Sequence, residues 1–135
     1  MPLTLTWVKD LQFTAEDDKG HGIVLESKRD GAAAGFTPMQ LLLLAAAGCM
    51  AMDVVSILRK KRLPLRGFTV AMEGDRATEH PKRFTEMRFT YTAVGDIPRA
   101  DLDEAIRMSE EKYCSVSATL KGAPKMVIQS EVIAA

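Results

Sequence analysis

Cys49 and Cys114 carry the most distinctive chemistry in this chain. A thiolate is both a nucleophile and a metal ligand, and two thiols can cycle through a disulfide. A permanent disulfide suits a secreted protein. The N-terminus, MPLTLTWVKD, has neither the basic region nor the apolar run of a secretory signal, so a cytoplasmic address is expected. In that reducing compartment a transient catalytic disulfide is allowed and a structural one is not expected. A metal site would draw on Cys49, Cys114, His21 and His80, yet no short paired spacing such as C-x-x-C or H-x-x-x-H occurs. No metal and no cofactor are therefore expected. The remaining reading is inert, with each cysteine filling a small gap in an apolar core.

A reactive cysteine must be partly ionised near neutral pH, which requires a positive neighbour or aligned donors. Cys49 stands among alanine, leucine and methionine, where burial alone pushes a thiol pKa upward. It lies deep inside an expected helix, far from that helix's positive end. Asp53, one turn later, would disfavour a thiolate if ionised and facing it. The activating group must come from another part of the chain.

The elements that would position these residues are legible in the pattern. At 135 residues the chain is expected to form one domain over 1–135. Eighteen basic and 18 acidic residues balance, and aromatic residues make up only 6%, so neither a polyanion partner nor a base-stacking platform is expected. No charged residue occurs from Gly31 to Met52. The strongly apolar core of that stretch, Leu41 to Met52, is shorter than the roughly 20 residues that cross a bilayer, which favours a buried helix over a membrane span.

Residues 3–7 alternate as a strand, a second strand is expected over Leu11 to Thr14, and residues 21–26 return after a turn at Asp17–Gly20. Residues 27–36, SKRDGAAAGF, read as a mobile loop. Thr37, Pro38 and Gln40 form a capping box that opens a helix running to about Arg62, before Pro64. Leu41 to Ala47 is apolar on every face, more than one chain of this size can surround, so a dimer that covers the helix is expected. Phe68–Glu73 and Phe84–Val94 read as antiparallel strands, Ile97–Lys112 as a second helix, Ser115 as the cap of a short helix through Leu120, and Lys125–Ile133 as a closing strand. The order is α+β.

Three segments, TPMQLLLLAAAGC at 37–49, EEKYCSVSATL at 110–120 and the C-terminal MVIQSEVI, resemble in order and spacing the OsmC/Ohr superfamily of bacterial two-cysteine proteins. AAAGCMAMDVVSILRK and EKYCSVS are more similar to a little-characterised branch of that superfamily than to its well-studied peroxidases. The resemblance implies an OsmC-like α+β fold in which antiparallel sheets wrap around long central helices in an intertwined homodimer. It also implies an organic hydroperoxide reductase of peroxiredoxin type, serving oxidative-stress defence. Cys49 would be the peroxide-reactive thiol and Cys114 the resolving one, with a dithiol reductant, by resemblance lipoyl-type. In one branch an arginine before the central helix activates the cysteine, and Arg29 stands at that branch's spacing. No arginine precedes Arg29, so the alternative position in the first hairpin is empty. The chain departs from the pattern at Met39, where peroxidase members carry a glutamate that holds the arginine, leaving Gln40 or Asp30 as substitutes. It departs again at Ser115, where the better-known branches usually have proline. The Met39 departure supports an alternative, a non-peroxidatic member that binds a small apolar or electrophilic ligand at the dimer interface.

Overall fold

The structure, a computed structural model, describes residues 2–27 and 33–134. Strands β1 (Leu3–Lys9), β2 (Gln12–Asp17) and β3 (Gly22–Glu26) form an antiparallel sheet in sequence order. Each connection is set by local chemistry. Between β1 and β2 the register shifts after Trp7, Asp10 takes a left-handed φ of 44°, and the Trp7 indole N–H donates to the Asp10 carbonyl oxygen at 2.9 Å. Between β2 and β3 the Asp17 carboxylate accepts the Lys19 and His21 backbone N–H groups at 2.9 and 2.8 Å, and Gly20 supplies the φ of 87° that a side chain would resist.

At the end of β3, Glu26 is only 3% exposed, and its Oε2 accepts from the Ala34 N–H at 2.6 Å and the Gln12 amide at 3.2 Å. A parallel bridge joins Leu25 to Phe36. Helix α1 (Pro38–Lys60) then opens with the capping box expected of its sequence. Thr37 N–H donates to Gln40 Oε1 at 2.9 Å, and Gln40 N–H donates to Thr37 Oγ1 at 3.3 Å. The helix ends in a Schellman motif. Arg62, at φ 57°, stands where glycine is usual, and Leu63 N–H reaches back to the Leu58 carbonyl oxygen at 3.2 Å.

By length and composition alone α1 would cross a bilayer, with a mean hydropathy of 2.3 over its most apolar window. Only 33% of that window is buried within one chain. Met50, Val54 and Leu58, one turn apart, are buried, whereas Met52 is 76% exposed, Ala45 is exposed and Leu41–Leu44 are half-buried. The all-round burial expected from the sequence is therefore not completed by one chain, which covers one stripe of a helix that is apolar on every face.

Beyond α1, β4 (Leu65–Arg76) and β5 (Phe84–Gly95) pair as a long hairpin, α2 (Arg99–Met108) passes into a π-helical turn (Ser109–Tyr113), and α3 (Ser115–Gly122) follows. Contacts divide the chain into two compact units, Met1–Gly48 with Val70–Tyr91, and Cys49–Thr69 with Thr92–Ala135. In the second, Met50, Val54 and Leu58 of α1 are buried along with Leu102, Ala105, Ser109 and Cys114. Lys61 binds Asp101 at 3.0 Å and Glu104 at 3.1 Å, fastening the end of α1 to α2. The architecture is α+β with antiparallel sheets, as the order of elements predicts.

Two expectations fail. The second helix is not α-helical to Lys112 but gives way to the π turn at Ser109. The closing strand does not form: among the described residues, 124–134 join no sheet, and Met126, Val127, Ile128, Val132 and Ile133 are all exposed. A strand exists only where another backbone pairs with it, and among the described residues no strand pairs with that segment.

Candidate active site

Both cysteines belong to the second unit, one from each of its two segments. Cys49 is carried by the middle of α1, half-buried. Cys114 follows the π turn, its N–H donating to the Ser109 carbonyl oxygen at 2.8 Å, and it is 2% exposed. The π turn adds a residue to the last helical loop and so sets where the chain leaves α2. Cys114 then serves as the N-cap of α3, with extended φ and ψ of −73° and 103° and a sulfur that accepts the Ser117 N–H at 3.3 Å. The sequence places this cap on Ser115, one residue too late.

This arrangement places Cys114 beside Cys49, whose sulfur lies 3.9 Å from the hydroxyl of the residue after Cys114, Ser115, and gives the two thiols opposite tendencies. The Cys49 thiol is held below its ordinary value, first by the Val116 backbone N–H and then by the Cys114 thiol. Partial burial opposes this shift, and Ser115 adds to it through its hydroxyl, 3.9 Å from the sulfur, and its N–H. The physical cause is that the first amides of a helix have no partner within it, and such donors near a thiol stabilise its negative charge. The Cys114 thiol is pushed up, first by burial and then, against the Ser117 N–H, by the proximity of Cys49. Of the two thiols, Cys49 is the one whose surroundings favour the thiolate and Cys114 the one whose surroundings favour the protonated form.

Arg29 and Asp30 lie outside the described residues. Met39, on the first turn of α1, is half-buried, and the Gln40 side-chain oxygen is engaged by the capping box. Asp53 is turned to a different task from the one its spacing suggests: its Oδ2 accepts the Ser109 hydroxyl at 2.8 Å. Sequence reasoning missed Val116, Ser115 and Ser109. The signal for the first two was present, since a short helix opening beside Cys114 must present unpaired N–H groups there; what they face depends on the tertiary fold. Among the described residues no group of three or more His, Cys, Asp or Glu is placed to hold a metal.

The chain is similar to known proteins over this whole framework. A sequence model for the OsmC-like protein family matches residues 30–129. Protein YhfA of Escherichia coli K12 is 36% identical over 136 residues, covering all of both chains. A hypothetical protein from Aquifex aeolicus has the same fold at a TM-score of 0.80 and 32% identity, covering 90% of this chain and 87% of that one. An organic hydroperoxide resistance protein OsmC from Legionella pneumophila shares the fold at a TM-score of 0.67, with 15% identity over 90% of this chain and 88% of its own. With a family match across most of its length and a relative aligned end to end, the chain belongs to the OsmC-like protein family.

Proposed function

We propose that this protein is a thiol-dependent reductase of organic hydroperoxides, working in the cytoplasm as a homodimer, each chain one domain over residues 1–135. The observation that carries the reading is the pairing of Cys49, held below the ordinary thiol range and 3.9 Å from the Ser115 hydroxyl, with the adjacent Cys114, held above that range. The Cys49 thiolate attacks one peroxide oxygen, an S–O bond forms as the O–O bond breaks, and the alkoxide takes a proton from solvent and leaves as an alcohol. Sulfur loses two electrons and the peroxide gains them. Cys114 then attacks the Cys49 sulfenic acid, a disulfide forms, and the hydroxyl leaves with the Cys114 proton as water. A dithiol, lipoyl-type by resemblance, returns both cysteines to thiols and becomes a disulfide itself. Arg29 is assigned the part of a further cation for the Cys49 thiolate and the peroxide. Bulky or fatty peroxides are favoured over hydrogen peroxide, because α1 from Leu41 to Met52 carries only apolar residues and glycine. The name of the Legionella relative supports the same substrate class.

The half-covered α1 and the exposed Leu3, Leu5 and Trp7 of β1 support the dimer, since one chain leaves this apolar surface in water. Met39 favours a second reading, in which the protein binds a small apolar or electrophilic ligand at the dimer interface without turnover. A steady-state assay with cumene hydroperoxide and dihydrolipoamide decides between them. Turnover that disappears in Cys49→Ser supports the reductase, and turnover no greater than that of Cys49→Ser overturns it.

A further inference from the structure

Asp53 stands one helical turn beyond Cys49 on α1, and its Oδ2 accepts the hydroxyl of Ser109 at 2.8 Å. Ser109 is completely buried and opens the π turn, and its own carbonyl oxygen accepts the Cys114 N–H at 2.8 Å. Ser109 is thus tied by its side chain to the helix that bears one cysteine and by its main chain to the other cysteine. A π turn is a rare conformation that persists where its surroundings hold it, and a buried hydroxyl bonded to a carboxylate is such a hold, stronger than a bond between neutral groups. Among the described residues, the Ser109–Asp53 hydrogen bond is the side-chain tie from the π turn to α1.

We propose that Asp53 is a positioning residue which, through Ser109, fixes the π turn and so holds Cys114 beside Cys49, setting the effective concentration of one thiol at the other. The proposal rests on the two-cysteine reading for its role in turnover. Its main effect is on disulfide formation, the step in which the Cys114 sulfur displaces the hydroxyl of the Cys49 sulfenic acid as water.

The test uses the full-length protein and two readouts. Equilibration with reduced and oxidised glutathione measures the Cys49–Cys114 disulfide without any peroxide. Asp53→Ala and Ser109→Ala are expected to shift that equilibrium toward the dithiol by about tenfold or more, equivalent to about 30 mV for a two-electron couple. Asp53→Asn keeps an oxygen that can accept from Ser109 and is expected to restore most of the shift. Ser109→Ala removes a single oxygen, so it tests the proposal if Asp53→Ala fails to fold. In the second readout, cumene hydroperoxide is added with dimedone, and the variants are expected to accumulate trapped Cys49 sulfenic acid, while Cys49 alkylation by iodoacetamide slows at neutral pH as the Cys114 thiol and the amides of α3 move away with the π turn. A wild-type glutathione equilibrium in Ser109→Ala overturns the proposal. A shifted equilibrium with a wild-type Cys49 that no hydroperoxide oxidises leaves Asp53 as the positioning residue and overturns the reductase reading instead.

Discussion

The buried sulfur of Cys114 accepts the Ser117 N–H at 3.3 Å, so the thiol in contact with Cys49 is also the N-cap of α3. The helix cap and the second thiol of the proposed cycle are therefore one atom, and substitutions can separate the two roles. Serine in place of cysteine keeps an acceptor for the Ser117 N–H, whereas alanine leaves that amide without one. Cys114→Ala should lose about 1 kcal/mol of stability through the cap alone, and Cys114→Ser should lose less while being equally unable to form the disulfide. Urea unfolding of the reduced proteins measures the difference. Equal stability in the two variants would show that the sulfur does not act as a cap.

The opposite tendencies of the two thiols predict an order of reaction. Because the folded Cys49 pKa is depressed, its thiolate fraction near pH 7 exceeds that of a free cysteine, and its alkylation rate should rise with pH through an inflection below the ordinary thiol value. Cys114, raised by burial, should react later and only at higher pH. Ser115→Ala removes one donor and should move the Cys49 inflection upward. Ser115→Pro removes the hydroxyl and the N–H together. It is tolerated by the backbone because Ser115 is the first residue of α3 and Cys114 is already extended, so its upward shift should be larger. Iodoacetamide labelling followed by peptide mass spectrometry reads both cysteines at once. A Cys49 inflection unmoved in Ser115→Pro would show that these donors do not act on the sulfur.

What the sequence reveals and what it conceals differ by the range of the interaction. The turn after β2 and the start of α1 are legible because Asp17 with Gly20, and Thr37 with Gln40, satisfy neighbouring backbone groups, as the structure shows. The cysteine pair is legible from residue type and from resemblance. The π turn is not, because it depends on Ser109 meeting Asp53 from another helix, and nothing in SEEKY by itself departs from an α-helical pattern. The same holds for the thiol donors, which come from α3. Lys125–Ile133 has the composition of a strand, but pairing requires a second backbone, and none of the described residues supplies it.

That unpaired segment, the exposed apolar face of β1 and the incompletely covered α1 lead to a prediction about association. At ~25 cal/mol per Å2 of apolar area, an obligate interface of ~2,000 Å2 or more contributes far more than the net stability of one domain. Dilution should therefore unfold the protein as it dissociates, and the apparent melting temperature should fall with concentration. Sedimentation that found a compact, stable monomer at low micromolar concentration would rule the dimer out.

The last prediction concerns the division of labour between Arg29 and the amides of α3. Among the described residues the Val116 and Ser115 N–H groups already lower the Cys49 pKa, so on the proposed assignment Arg29 would be one stabiliser among several. Arg29→Ala should raise the Cys49 pKa and slow alkylation at neutral pH, since removing a nearby cation disfavours the thiolate. The effect should add to that of Ser115→Pro if both act on the same charge. Met39→Glu is the complementary change. A carboxylate at that position should hold Arg29 and increase turnover of cumene hydroperoxide, unless it is left as an unpaired buried charge, which would destabilise the fold by several kcal/mol and show in the same urea transition. An inactive parent with an active Met39→Glu variant would mark a scaffold that still supports the reaction and lacks only the orienting carboxylate. Thiol reactivity unchanged in Arg29→Ala at every pH would remove Arg29 from the site, and Cys49 would then owe its ionisation to the first turn of α3.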